Sequence, residues 1–410
     1  MTRPKLATSM VTGAGRTAQK VVVLGVHESS EAYPNVKYRI LGLIHTKGVS
    51  AREFRYTFRW RPFSRRRNTR WGRLLSYADF ALNAILSHVR AACAGVLYSR
   101  SASAYVPYPA PLLLFFLSIL PRFLRPKKIV TDAFISLYDT IVTDRALISA
   151  RNPLSKMLFW MERRAYRISD LVVTDTALSA AYLTNLFRLP EGRVIALPLT
   201  IGEHIYSYAP YQAHTEQCTV LFIGTFVPLQ GVDVIAKSIL LLRGHPTIRF
   251  RIIGYGQTAE SFRKIVEHDS CKNYVWIQDW QDAETLAAEI RAADICLGIF
   301  GTTDKAQRVW PFKNYFYMSI GRPIITGDTV CARELSRQVN PPPLVMTPTG
   351  DPKALAEAIL SLAENVDACA TYARNSRSFY DQHLSNAISV QAIVNEMCYQ
   401  QSSAQADEMQ

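Results

Sequence analysis

The chain has 410 residues, of which 49% are hydrophobic and 20% are charged, and its formal net charge is +14. This length and composition allow two domains with hydrophobic cores and exclude a disordered protein. The positive charge favours an anionic partner: a phosphorylated substrate, a membrane surface or a nucleic acid. Seven scattered cysteines without a CxxC pair predict reduced, mostly buried thiols rather than disulfides or a zinc site.

The first half of the chain alternates short apolar runs with helical patterns. Residues 1–19 are polar, lack the apolar core of a signal peptide and predict a disordered tail. Strands are predicted at 20–26, 94–100, 127–133, 170–176 and 193–199. This alternation predicts a parallel, doubly wound sheet. The apolar run 110–120 is too short to cross a bilayer and predicts a core helix or a membrane-touching one.

An arginine-rich segment interrupts this first half. "REFRYTFRWRPFSRRRNTRWGR", from Arg52 to Arg73, has nine arginines, one glutamate and interleaved aromatic residues. Arginine mixed with aromatic residues suits an anionic membrane surface or a stacked nucleic-acid strand, and it also occurs in solvated loops. Because no nucleic-acid-binding motif accompanies it, we predict an anionic membrane surface as partner and no nucleic acid.

The strand and helix pattern restarts in the second half. Strands are predicted at 219–225, 249–255, 274–280, 293–300, 322–328 and 343–348. The prediction is therefore an α/β chain with two Rossmann-like domains and a ligand cleft between the carboxyl ends of their strands. The predicted boundaries are a tail at 1–19, domains at 20–203 and 204–375, and a C-terminal helix at 376–410 that packs back toward the first domain before a second tail.

The predicted strand ends of the second domain carry glycines, aromatic residues and cations. Glycines let a backbone approach an anion closely, and a helix N-terminus offers free N–H groups. Cations near a diphosphate stabilise the charge that develops as it leaves. Trp280 can face a base or pack in the core, and the cations can bind a diphosphate or lie in solvent. Arg308 and Lys313 are predicted to act in catalysis on the diphosphate. The candidate ligands of a nucleotide-sugar donor are Gly224, Thr225, Gln230, Gly254, Tyr255, Trp280, Lys305 and Asp328.

Four spaced stretches of this half carry a resemblance to a known family. "LFIGTFVPLQGVDVI", "FRIIGYGQ", "ADICLGIFGTTDKAQRVWPFKNYFYMSIGRPIITGD" and "ARELSR" resemble the C-terminal half of GT-B glycosyltransferases of retaining family 4. "VTDAFISLYDTIVTDR" and "LVVTDTALSAAYL" are similar, more loosely, to the acceptor half of bacterial envelope sugar transferases. The resemblance implies a nucleotide-sugar donor in the second domain, an acceptor in the first, and no metal or separate cofactor.

The resemblance also has departures. Relatives commonly have an arginine and a lysine on the diphosphate where this chain has Thr225 and Gln230. Their glutamate pair falls on Arg308 and Phe316, so the ribose hydroxyls lose their carboxylate. We hypothesise that Lys305, Arg308 and Lys313 replace the lost cations from another loop.

The acceptor side offers titratable residues at predicted strand ends. A carboxylate or imidazole there can orient a sugar hydroxyl or take its proton. The candidates are His27, Glu28, Asp132 and Asp139, with Asp132 taken as the catalytic one. Asp132 and Asp139 can instead cap the following helix.

The sequence thus predicts a retaining, metal-independent glycosyltransferase. It would move a sugar from a nucleotide-sugar donor to a glycan or lipid-linked acceptor in envelope polysaccharide assembly. It would act peripherally at the cytoplasmic face of the cell membrane. Two alternatives stay open: a sugar-nucleotide epimerase on the same fold, and a non-catalytic binding protein derived from a transferase.

Overall fold

A computed structural model describes residues 19–57, 70–98, 102–213, 216–268 and 271–398. The predicted N-terminal tail, except residue 19, lies outside the described residues. So do the end of the chain from residue 399 and most of the arginine-rich segment, residues 58–69. No helix in the described ranges is long and apolar enough to cross a membrane.

The first domain is built on a six-stranded parallel sheet, with strands in the order β2-β1-β3-β4-β5-β6. Alternate residues of β1 face opposite sides, and both sides are apolar, as in a sheet covered by helices on both faces. Its strands are β1 (Gln19–Val26), β2 (Val49–Tyr56), β3 (Ser103–Val106), β4 (Lys128–Asp132), β5 (Leu171–Thr174) and β6 (Val194–Ala196).

Helices cover both faces of this sheet. Val22, Leu24 and Val26 pack under α2 and α3, whereas Val21 and Val23 pack under α1 and the last helix of the chain, α14. The helices of the first domain are α1 (Pro34–His45), α2 (Arg70–Tyr98), α3 (Pro111–Ile119), α4 (Pro153–Ile168), α5 (Ala177–Phe187) and α14 (Asn386–Cys398), with a 3-10 turn (Arg122–Leu124) and a π-helix (Asp139–Asp144).

The second domain repeats the plan with the strand order β12-β11-β10-β7-β8-β9. The chain runs outward in both directions from the adjacent pair β7 and β10, so the strand order reverses between them. Ligands of open α/β sheets bind at such a switch point. The strands are β7 (Cys218–Ile223), β8 (Ile248–Ile253), β9 (Tyr274–Ile277), β10 (Ile295–Leu297), β11 (Ile324–Gly327) and β12 (Val345–Thr347).

The helices of the second domain also lie on both faces of their sheet. Buried residues of α6, α7 and α12 form one hydrophobic cluster with the sheet, and those of α8, α10 and α11 form another; the bounds of these helices follow. The helices are α6 (Val232–Leu241), α7 (Ala259–His268), α8 (Ala283–Arg291), α9 (Asp304–Arg308), α10 (Phe312–Ile320), α11 (Val330–Ser336), α12 (Pro352–Ala363) and α13 (Val366–Phe379), followed by a second π-helix (Tyr380–Leu384).

The last helix returns to the first domain. Val390, Ile393, Val394 and Met397 of α14 share a hydrophobic cluster with β1, α1 and β4. A Cβ on Gly42 of α1 would lie 2.4 Å from a methyl group of Val390, so a glycine is what permits this close packing. The chain therefore crosses between the two domains twice.

The predicted fold class is confirmed, with two differences in the elements of the first domain. Residues 94–100, predicted as a strand, form the end of α2 up to Tyr98, and the strand begins at Ser103. β2 was not predicted, because it runs into the arginine-rich segment, where Arg52, Glu53 and Arg55 obscure the apolar pattern of a strand. It is an edge strand with a half-exposed pattern.

Candidate functional site

Two loops of the second domain meet backbone to backbone beside the switch point. Gly254 follows β8 with φ +135, and a Cβ there would lie 1.7 Å from the carbonyl oxygen of Gly224, which follows β7. Gly231 precedes α6 with φ +62, and a Cβ there would lie 2.5 Å from the backbone of Phe300 and Gly301. Glycine is required at both places, and the loops after β7, β8 and β10 thus converge at one edge of the sheet.

Gln230 fills the position where relatives have a lysine. Its Oε1 lies against Gly224, at 1.8 Å from where a Cβ would be, and it is buried with no hydrogen-bond partner among the described residues. Thr225 is exposed on the same loop. This loop therefore offers backbone and one neutral amide, but no cation.

Lys313 supplies a cation beneath these loops. It lies on α10, is 6% exposed, and its Nζ donates to the carbonyl oxygen of Gly298 at 2.9 Å. The same Nζ lies 3.6 Å from the ring centroid of Phe222. Because burial strips its hydration and no carboxylate in the described ranges lies within ion-pair distance, the pKa of Lys313 is well below its usual value. An anion at the switch point would provide the missing charge.

The neighbouring residue adds further unused hydrogen-bonding capacity. Asn314 is fully buried, and both its Nδ2 and its Oδ1 have no partner among the described residues. Its Oδ1 would lie 3.4 Å from a Cβ on Gly298. Because buried polar groups are normally paired, the unpaired atoms of Asn314 and Gln230 beside the Lys313 ammonium fit a binding site for a polar, anionic ligand. We call these three residues the switch-point cluster.

A cavity of about 430 Å³ lies beside this cluster on the α6 and α7 side. Its walls are formed by the N-terminus of α6, the start of α7 and the loop after β10. Its polar lining is mostly hydroxyl groups and one carboxylate, from Asp233, Thr258, Ser261, Thr302 and Thr303.

Lys305 and Arg308 do not join the switch-point cluster, contrary to the expectation that they reach a diphosphate there. They stand one turn apart on α9 and face the π-helix of the first domain. Arg308 Nη2 donates to Asp139 Oδ1 at 2.6 Å. Lys305 Nζ lies 3.2 Å from Asp139 Oδ2 and 3.6 Å from Asp144 Oδ2.

Other contacts hold α9 on the first domain. The hydroxyls of Thr176 and Ser179, at the start of α5, donate to the carbonyl oxygen of Arg308 at 2.5 and 3.3 Å. The Arg308 guanidinium stacks 3.7 Å above the ring of Tyr182. Burial and the nearby Asp139 raise the pKa of Tyr182 to about 12. We call Asp139, Asp144, Lys305 and Arg308 the interdomain ion cluster.

Asp144 was missed by sequence reasoning. Burial raises the pKa of its carboxyl group, against the lowering effect of Lys305. The signal was present in "DTIVTD", which carries a second acid five residues after Asp139. One π-helical turn, which has about five residues, brings the two carboxylates to the same side.

Asp132 is not in the cleft, and both earlier interpretations of it are wrong. It is 1% exposed, and its Oδ2 accepts from Arg39 at 2.7 Å, Asn35 at 2.9 Å and Tyr105 at 3.0 Å. Its Oδ1 accepts only a long bond from the backbone N–H of Phe134, and no helix starts there. It is a buried carboxylate whose Oδ2 is fully paired inside the first domain.

His27 and Glu28 end β1 but differ in environment. His27 is buried, and its Nε2 lies 2.9 Å from Glu53 Oε1 on β2. Its Nδ1 has no partner in the part of the chain that the structure describes. Glu28 is exposed. Sequence reasoning missed Glu53 because it missed β2.

The aromatic candidates of the second domain lie at its surface. Trp280 is 76% exposed, which rules out core packing. Tyr255 is also exposed and stacks on Trp276 at 6.4 Å. Phe316, where relatives have a glutamate, stacks on Tyr206 at 4.1 Å, so an apolar ring occupies that position.

Asp328 lies after β11 and is half-buried. Its Oδ2 lies 3.2 Å from Arg333, and its Oδ1 has no partner among the described residues. It lines a cavity of about 450 Å³ together with Arg333, Ser336 and Arg337. No cluster of three or more His, Cys, Asp or Glu residues in the described ranges is arranged to hold a metal ion.

Comparison with known proteins supports this architecture. Residues 217–365 match the family described as "Glycosyl transferases group 1". No curated protein sequence matches the chain.

Solved structures of low sequence identity share the fold along nearly the whole chain. HepE of Anabaena, in complex with UDP, has a TM-score of 0.62 at 13% identity, and the match covers 92% of this chain and 99% of that one. Sucrose-phosphate synthase of Thermosynechococcus elongatus has a TM-score of 0.66 at 14% identity, covering 94% and 99%. WaaG, a glycosyltransferase of lipopolysaccharide biosynthesis, has a TM-score of 0.59 at 12% identity, covering 92% and 99%. The chain therefore has the GT-B fold of these structures, and its residues 217–365 are similar to the glycosyl transferases of group 1.

Proposed function

We propose that the protein is a retaining glycosyltransferase that moves a sugar from a nucleotide-sugar donor to a glycan or lipid-linked acceptor. The observation that carries the proposal is the switch-point cluster beneath the glycine loops. Lys313 is buried there with no carboxylate of the described residues within ion-pair distance, and Gln230 Oε1 and both polar atoms of the Asn314 side chain have no partner among those residues. A donor diphosphate is the anion that fits, because it would neutralise Lys313 and approach the backbone at Gly224. HepE, of similar fold, was solved with UDP and with UDP-glucose.

The proposed chemistry needs no resident metal or cofactor. The leaving diphosphate takes the proton of the acceptor hydroxyl, and Lys313 stabilises the charge that builds on it. Retention follows when attack and departure occur on the same face of the donor sugar. Nuclear magnetic resonance of the fresh product reads the anomeric configuration, and an inverted product contradicts this part of the proposal. Full activity after chelation with EDTA is expected, and loss that added metal restores contradicts metal independence.

Donor binding is tested first by thermal denaturation with a panel of nucleotide sugars. A ligand of the folded state stabilises it by mass action, by about 2.7 kcal/mol at 100 times its Kd, and thereby raises the melting temperature. We expect one nucleoside diphosphate sugar to stabilise the protein and the free sugar to have no effect. If no nucleotide or nucleotide sugar changes the melting temperature, the proposal fails.

A membrane-bound acceptor is proposed from the arginine-rich segment Arg52–Arg73. Each basic residue near an anionic leaflet contributes about 1 kcal/mol. The use of this chain in envelope polysaccharide assembly, peripherally at the cytoplasmic membrane face, is proposed on the same ground; WaaG, a structure of similar fold, belongs to lipopolysaccharide biosynthesis. Replacing Arg65, Arg66 and Arg67 by Gln should weaken binding to anionic vesicles, most at low salt. Unchanged binding would assign the segment another role.

A non-catalytic binding protein is the second candidate. Phe316 and Tyr206 form an apolar stack where relatives place a ribose-binding carboxylate. Donor-induced stabilisation without transfer or donor hydrolysis, over a panel of acceptors, would favour this candidate.

A further inference from the structure

The outward side of α2 carries an apolar stripe that is exposed and has no partner among the residues that the structure describes. Its inward side packs on the sheet through small residues, including Ala91, Ala94 and Gly95. Positions on the opposite side are spaced by three and four residues, as expected for one face of a helix. They are Leu82, Leu86 and Val89, with the exposed Ile85 beside them and Leu97, 80% exposed, about two turns further along.

A second apolar patch lies on α3, the 3-10 turn and α4. Trp160 of α4 packs against Phe115 of α3 at 5.4 Å, and Arg164 bonds to Ser118 Oγ at 2.7 Å, so the two helices present one continuous surface. The exposed apolar side chains on it are Ile119, Phe123, Leu154, Met157 and Trp160.

Both patches point away from the same side of the same sheet. The buried sides of α2, α3 and α4 share one hydrophobic cluster over Val22, Leu24 and Val26. Their exposed sides therefore form a single layer, which we call the outer helical face. Apolar surface of this extent on a soluble domain marks an interaction site.

The charges of this face decide what it contacts. The acidic residue of α4, Glu162, is buried and accepts from Ser136 and from the backbone N–H of Leu137 and Tyr138. The exposed charges of α4 are cationic: Lys156, Arg164 and Arg167. Arg90 on α2 and Arg122 and Lys127 beside α3 add to them, against the exposed Asp79. An apolar and aromatic surface with a cationic rim complements the interface of an anionic bilayer, where a tryptophan ring places its apolar part among acyl chains.

We infer that the outer helical face docks on an anionic lipid surface and inserts Phe123 and Trp160 into it. The inference deepens the membrane part of the proposed function and rests on it. It adds a surface that binds through apolar contact, distinct from the purely electrostatic attraction of the arginine-rich segment. Docking by this face leaves the cleft at the carboxyl ends of the strands open, because helices on a sheet face and the strand ends lie on different sides of the domain.

The test is vesicle flotation of the full chain. Wild-type protein should float with vesicles of phosphatidylglycerol and phosphatidylcholine, and only weakly with phosphatidylcholine alone. Phe123→Ser with Trp160→Ser should lower the partition coefficient about tenfold or more, because both rings lose their transfer from water. The loss should persist at high salt, unlike that caused by replacing Arg65, Arg66 and Arg67.

Leu241→Ser with Val275→Ser is the matched control. Both residues are 54% exposed, on the second domain, and this variant should float like the wild type. Equal flotation of the outer-face variant and this control would overturn the inference. So would a wild-type dimer in sedimentation equilibrium that the outer-face variant abolishes while the protein binds no vesicles, since the face would then join two copies.

Failure here and failure of the proposed function are distinguishable. The melting-temperature rise with a nucleotide sugar needs no membrane, so it should be equal in the wild type and the outer-face variant. A normal rise in melting temperature without flotation of the wild type contradicts the docking inference and the membrane part of the proposed function, and leaves the donor assignment in place. Flotation without any rise sinks the donor assignment.

Discussion

Each of the two domains buries an ionisable group at the carboxyl end of its sheet, but the two groups differ in how many partners they have. Asp132 in the first domain is met by the donors of Arg39, Asn35 and Tyr105. Lys313 in the second has one carbonyl oxygen and the face of a ring. A buried charge that is paired within the fold becomes costly when one partner is removed, whereas a buried charge without a counter-charge is suited to binding a charged ligand. The number of partners, rather than burial itself, separates structure from function here.

The largest effect is expected when the paired charge is removed. Asp132→Asn presents an amide N–H to three donors and leaves the Arg39 guanidinium buried without its anion. We expect a loss of about 3–5 kcal/mol in the free energy of unfolding of the first domain, measured by urea denaturation. Asp328→Asn is the control, because its half-exposed pair with Arg333 contributes at most about 1 kcal/mol. A stable Asp132→Asn variant that binds donor normally but has lost transfer would return Asp132 to the active site.

Removing the unpaired charge should do the reverse. Lys313→Met keeps the length of the side chain and removes a desolvated cation, so the free energy of unfolding should stay the same or rise. Donor affinity should fall about 10- to 100-fold, as the diphosphate loses a charged hydrogen bond of about 1.5–3 kcal/mol. Calorimetric titration with the stabilising nucleotide sugar measures it, with the exposed Lys353→Met as control. Unchanged affinity would leave Lys313 a structural residue.

The interdomain ion cluster should show a smaller, mutual effect. Asp139→Asn, Arg308→Gln and the double variant form a cycle whose coupling energy we expect at about 1–2 kcal/mol, above the 0.3–0.5 of an exposed helical pair. Thermal denaturation measures the change in unfolding free energy of each of the three variants relative to the wild type. The same cycle on Glu260 and Arg263 provides the exposed reference pair. Additive effects would show that the cluster does not hold the domains together.

The pH dependence of stability gives the smallest effect. Because the pKa of Lys313 is lowered in the folded protein, the unfolded chain binds more protons between the two pKa values. Stability should therefore rise with pH across that window, up to the ordinary lysine value near 10.4, by less than about 1.4 kcal/mol per pH unit. Urea denaturation at several pH values gives the free energy of unfolding of the wild type and of Lys313→Met. The difference between the two proteins isolates the contribution of Lys313, and a difference that does not change with pH would contradict the prediction.

Features that depend on neighbouring residues were predictable from the sequence, whereas contacts between residues far apart along the chain were not. The fold was predictable because a few consecutive residues determine each strand and helix. Four of the six strands of the second domain lie within the predicted runs, and β7 and β8 each begin one residue earlier. Residues 94–100 failed, because the apolar end of a long helix resembles a short strand. Asp132 failed for another reason: Tyr105, Asn35 and Arg39 lie 27 to 97 positions away along the chain, and no local pattern reveals them.

The candidate site shows the same limit. The placement of Lys313 near the switch point could be expected from its position after a strand, but the diversion of Lys305 and Arg308 could not. It depends on a π-helix that aligns Asp139 with Asp144 and on contacts between domains. The ligand roles assigned to Gly224, Thr225, Gln230, Gly254, Tyr255, Trp280 and Asp328 stay predictions.

The return of α14 to the first domain has a consequence for synthesis on the ribosome. The second domain has all its strands once residue 347 has emerged, whereas the first still lacks the helix that covers Val21, Val23 and Leu43. The domain that is translated first is thus the one completed last. During that interval its sheet exposes an apolar surface shaped for α14, so a nascent chain stalled before residue 386 would be a substrate for chaperones rather than a working half.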